Sequence, residues 1–148
     1  MLLYISASNL ERTSFHTLYK NSFFLKKTPQ AIGLALTWSV FVTVLLCLPG
    51  SEFPKKKWFD EIWLDKWVHI CLFSIMAFLW CRVMIQLSWK KLRLFYEIAF
   101  YFFLYGIAME FVQKYFIPNR SFDVMDMIAD GIGSVIGVIV AAKVYIKK

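Results

Sequence analysis

Charge is scarce in this chain. Only 18% of its 148 residues are charged, against about 25% in an average soluble domain, while 59% are hydrophobic. A soluble domain of this size leaves much of its surface in water, so the composition excludes one and names lipid as the solvent. Cysteine is nearly lacking as well. Cys47, Cys71 and Cys81 make an odd count, show no CxxC spacing and lie within apolar stretches; that excludes a disulfide framework or a cysteine metal centre and leaves three small hydrophobes. With only His16 and His69 there is no HExxH, and no nucleotide, haem or iron–sulfur motif occurs, so no cofactor is expected. The opening Met1–Ile5 run is short and has no basic region before it, which does not read as a signal peptide.

What is present is a set of long apolar runs with basic residues between them. The net charge of +7 is distributed beside those runs, not over one compact surface, which sets membrane topology and argues against a nucleic-acid partner. Four spans are predicted, at 31–48, 67–87, 94–116 and 123–145, each near the roughly 20 residues a crossing needs. Residues 1–30 form a polar tail, and 31–148 a single four-helix domain. Between the first two spans, Trp58 and Trp63 stand beside Lys55–Lys57, a composition suited to the headgroup layer, so a short interfacial segment is expected there. The fold class is therefore all-α, a polytopic four-helix bundle. Arg12, Lys20, Lys26, Lys27, Arg82, Lys90, Lys91, Arg93, Lys143, Lys147 and Lys148 fall on one side of that topology. Lys55, Lys56, Lys57, Lys66, Lys114 and Arg120 fall on the other. The basic excess marks the cytoplasmic side, which places both termini in the cytoplasm; the Lys55–Lys57 triplet runs against this count.

Charged groups inside a span cost about 2.5–3.5 kcal/mol each on insertion scales, so their positions are informative. In the fourth span Asp123, Asp126 and Asp130 recur at three and four residues and lead into Gly133 and Gly137. At 1.5 Å per residue, Asp130 lies about 10 Å below Asp123, and Gly-x-x-x-Gly lets another helix approach closely. The third span carries Glu110, Gln113 and Lys114 near its end, and the second opens on Asp65, Lys66 and His69. With Arg120, these residues define one polar zone at one end of the bundle. Plainer roles stand beside this reading: Asp65 and Asp123 suit helix caps, Glu110 and Lys114 suit an i,i+4 pair, and Lys66, His69 or Arg120 can neutralise the acids and lock the helices. Gly133 and Gly137 read as packing, and the aromatics Phe95, Phe100–Phe103 and Tyr105 as core or lipid-facing surface.

Three blocks, in this order and spacing, resemble the VanZ-like family of small bacterial membrane proteins. They are Asp65-Lys66-x-x-His69, Glu110-x-x-Gln113, and Arg120-x-x-Asp123-x-x-Asp126 leading to Gly133-x-x-x-Gly137. The resemblance covers about 31–145 and leaves out the polar tail. Asp130 departs from it, since many members carry Asn there. It implies an inner-membrane protein, from a family whose named member is associated with teicoplanin resistance, and it transfers no agreed catalytic activity or cofactor.

Three functions are open at this level. The polar zone can bind an amphiphile, either a membrane lipid or a lipid-linked molecule, with Arg120 suited to phosphate or carboxylate. It can instead support a lipid hydrolase or transferase using His69, Glu110 and Asp126 as acid–base groups or as ligands of a divalent metal; no nucleophile motif accompanies them, and a non-enzymatic role is expected. Third, the polar residues can serve only to hold a structural subunit together.

Overall fold

The computed structural model describes residues 28–49, 63–87 and 92–145; the expected interfacial segment, most of the N-terminal tail and the basic turn near residue 90 lie outside them. The described residues form four α-helices and no strand: α1 (Thr28–Leu46), α2 (Leu64–Gln86), α3 (Leu92–Phe116) and α4 (Val124–Tyr145). All four are long and apolar enough to cross a membrane. The protein is a polytopic helical bundle, as the composition requires.

Local chemistry sets the ends. Pro29 lies in the first turn of α1, where its missing N–H would have no partner in any case. The same helix tightens at its end, where Cys47 N–H is shared between the Thr43 and Val44 carbonyls, ahead of Pro49. Helix α2 starts three residues earlier than the hydropathy pattern places it, at Leu64, after Trp63 in a left-handed conformation (φ 51°). Asp65 is therefore inside the first turn and is not the N-cap; no side chain caps this helix. Asp123 does cap α4, its Oδ1 accepting the Met125 N–H at 2.8 Å. Between α3 and α4, Pro118 and the left-handed Asn119 (φ 59°) turn the chain back, a conformation Asn tolerates better than most residues.

Of α2, α3 and α4, helices α2 and α4 pack most extensively, α3 lies against α4, and α2 and α3 touch least. Since α3 intervenes in sequence, α2 and α4 run parallel. Their contact is tight because of two glycines. A Cβ on Gly133 would lie 2.5 Å from the Ile70 carbonyl oxygen, and one on Gly137 would overlap that of Ser74. The Gly-x-x-x-Gly stripe thus admits the α2 backbone itself. Ser74 Oγ crosses the same contact to the Gly133 carbonyl at 2.9 Å.

Apolar packing completes the bundle in three groups. Ala77, Cys81 and Ile85 of α2 meet Phe95 and Ile98 of α3 and Val138 and Ala141 of α4. Val42 and Leu46 of α1 meet Leu72, Phe73 and Met76 of α2 and Met109 of α3. Ala31 and Ala35 of α1 pack on Leu79 and Val83 of α2. Outside this core, large side chains such as Val40, Val44, Phe100, Phe111, Val135 and Ile139 are exposed. In water such a surface would aggregate; in lipid it is the ordinary exterior.

Candidate functional site: a polar seam at one end of the bundle

Among the described residues the buried polar side chains are His69, Glu110, Gln113, Asp126, Asp130 and Ser134. All but Ser134 belong to the polar zone expected from sequence. They gather at the end of the bundle where α2 and α4 begin and α1 and α3 finish. Two parallel helix N-termini thus meet there, and their dipoles favour the carboxylates of Asp65, Asp123 and Asp126.

Lys66 is the centre of the upper layer. Its Nζ lies 2.5 Å from Asp123 Oδ2, 2.6 Å from Asp126 Oδ1 and 2.8 Å from Asp65 Oδ2. The three carboxylates come within 4.8 Å of one another, as in a cation site, and the cation they share is the lysine's own ammonium. Asp123 lies outside the spans, half-exposed. Burial tends to raise its pKa, but the Lys66 ammonium and the Met125 and Asp126 N–H groups outweigh this and hold it below the usual carboxylate range.

One turn deeper, His69 Nδ1 and Asp130 Oδ1 form a hydrogen-bonded pair at 2.8 Å, while His69 Nε2 lies 3.9 Å from Asp126 Oδ2. Asp130 is only 1% exposed, and its place depends on two residues that sequence reasoning missed. Ser134 Oγ donates to its carbonyl at 2.8 Å. Gly106 of α3 leaves the notch in which its side chain sits, for a Cβ there would fall 2.6 Å from Asp130 Oδ2. The available signal was a lone glycine within an aromatic helical run, which marks a close approach.

Helix α3 and the turn after it close the seam. Glu110 Oε2 accepts the Asp123 N–H at 2.9 Å, and Lys114 Nζ rests over the rings of Tyr115 and Phe122. Glu110 and Lys114 are therefore not the surface pair that their spacing allows. Gln113 Nε2 donates to the Leu46 carbonyl at 2.9 Å, and Arg120 Nε reaches the Leu48 carbonyl at 3.4 Å; these two tie the end of α1 to the polar end. The site residues named from sequence are thus brought together, with Lys66, His69, Glu110, Asp126 and Asp130 as an inner layer and Asp65, Asp123 and Arg120 around its rim.

Such a constellation, a charged seam between apolar helices, defines a small polytopic membrane protein with an ion-pair network at one end of its bundle. The chain matches the VanZ/LLP1 family over residues 9–146, and it belongs to that family. The match takes in residues 9–30, which the three sequence blocks leave out. No curated protein and no solved structure gives a significant match.

Proposed function

We propose that the polar end is an outward-facing binding site, at headgroup depth, for a membrane lipid or lipid-linked amphiphile. The observation that carries this reading is the charge arrangement at the rim. Five carboxylates, those of Asp65, Glu110, Asp123, Asp126 and Asp130, stand with Lys66, His69 and Arg120. One ammonium serves three of them. Lys66 is 14% exposed, whereas Asp65 and Asp123 remain 60% and 40% exposed. Negative charge is thus left at the mouth, while Arg120 Nε reaches the Leu48 carbonyl at the same end of the bundle. A headgroup with an amine and a phosphate or carboxylate complements both signs, since the fork of arginine suits such oxyanions. Ionisable residues in spans mark functional sites by default, and the basic-residue count supports the orientation with both termini cytoplasmic.

The family resemblance extends this to envelope homeostasis or to resistance against an acylated glycopeptide such as teicoplanin. The test is Arg120→Ala in cells, with sensitivity to a lipoglycopeptide measured alongside folded yield. Sensitivity is expected to change while yield is retained. Unchanged sensitivity at normal yield overturns the reading. A second reading, a purely structural lock, is favoured by the internal pairing of Lys66 and His69. Under it, substitutions in the seam lower yield in proportion to any loss of phenotype.

A further inference from the structure

A slot of about 400 Å³ lies lower in the bundle, within the roughly 300–1,000 Å³ of small-molecule sites. Its walls are Ser39 and Thr43 of α1, Met76, Trp80 and Met84 of α2, and Ile98, Tyr101, Phe102 and Tyr105 of α3. It exists because α2 and α3 pack little against each other, and two polar contacts brace α1 across the gap. Trp80 Nε1 donates to Ser39 Oγ at 3.0 Å, and Thr43 Oγ1 and Tyr105 OH share a hydrogen bond of 2.8 Å. Ser39 and Thr43 also donate to the carbonyls one turn before them. The polar atoms of Ser39, Thr43, Trp80 and Tyr105 are therefore engaged, and the interior offers mainly ring, thioether and methylene surface. Methionine adapts its shape to such an occupant.

The direction and depth of the slot say what fits it. From Tyr105 to Ile98 it runs seven residues along α3, about 10 Å parallel to the bundle axis. Its upper end is level with Asp130, because Tyr105 adjoins Gly106 and Gly106 abuts the Asp130 side chain. It therefore spans from about 10 to 20 Å below Asp123. Half the hydrocarbon core of a bilayer is about 15 Å. Val42, Leu46, Phe73 and Met109 close the slot toward the polar end, so a chain anchored there descends along the lipid-facing side and enters past the exposed Tyr101, and only one that reaches past the bilayer centre fills it.

We propose that this slot holds the distal part of a long hydrocarbon chain whose headgroup occupies the polar end, so that the protein selects its amphiphile by chain length. The inference rests on the headgroup reading of that end, and the two are separable. The full chain, purified in detergent, is mixed with phosphatidylethanolamines of lauroyl, palmitoyl and stearoyl length, and bound lipid is counted by native mass spectrometry. Retention is expected to rise about fivefold from the shortest to the longest chain, as wall contacts accumulate. Ser39→Phe, which fills the slot, is expected to flatten that series, with Met84→Phe as a second filler if the first does not accumulate. Arg120→Ala is expected to lower retention equally at every length. A flat series in the unsubstituted protein, or a slope that survives both fillers, overturns the slot. A slope abolished by the fillers, with retention unchanged by Arg120→Ala at every length, keeps the slot and overturns the headgroup reading.

Discussion

Lys66 ties the seam together electrostatically, because it neutralises carboxylates from two helices at once. Removing one partner of a buried pair costs about 3–5 kcal/mol, while replacing the pair by apolar groups is often neutral. Lys66→Met is therefore expected to destabilise the protein on that scale in detergent unfolding, and Lys66→Met with Asp126→Leu to recover much of the loss. A double variant no more stable than the single one would show that the pair is not coupled. Gly106→Ala is expected to act as a lesion of Asp130, since the added methyl meets that side chain; a loss of about 1–3 kcal/mol is expected, against a smaller effect in an Asp130→Gly background, where the atoms it meets are gone. Much of this was legible from sequence, because acids and a histidine in apolar runs are costly enough to need partners. Asp65 was misread as a cap, since the left-handed Trp63 that starts α2 leaves no pattern in the sequence. Ser134 and Gly106 acquire meaning only from the place of Asp130, a tertiary fact.

At the scale of the helices, the Gly133 and Gly137 stripe brings α2 and α4 to backbone contact. Gly137→Val forces the Ser74 backbone away and separates the seam above it, whereas Gly33 has open space around its Cα. Gly137→Val is expected to lose folded yield, and Gly33→Ala to match the unsubstituted protein, by size-exclusion recovery after heating. Equal recovery of both variants would remove the stripe from the packing account. Hydropathy located all four helices, with ends shifted by up to three residues, because a span must be long and apolar whatever it packs against. It could not tell which helix the glycines receive. That choice follows from side-chain complementarity between α2 and α4, to which a one-dimensional pattern is blind.

At the scale of the whole molecule, the charged end couples stability to pH. Asp123 titrates lower in the folded protein than its ordinary value of 3.8. Its contribution is therefore complete above that value and fades as pH falls from there through the lower native pKa. The stability gap between the protein and Asp123→Asn is expected to be constant from neutral pH down to about 4 and to close below it. A gap that widens on acidification would contradict the Lys66 pairing. Orientation is measurable at the same scale: a reporter fused after Lys148 is expected to be active only in the cytoplasm.

The parallel contact of α2 with α4 also dictates an order of biogenesis. Helix α2 leaves the ribosome two spans ahead of its partner, so Lys66 and His69 enter the bilayer before Asp123, Asp126 and Asp130 have been made. A nascent chain that stops after α3 holds a lysine and a histidine in the membrane with their principal counterions missing. Helix α4 is thus the one that discharges α2, and a quality-control protease that senses unpaired charge in lipid would distinguish a chain that contains α4 from one that stops before it.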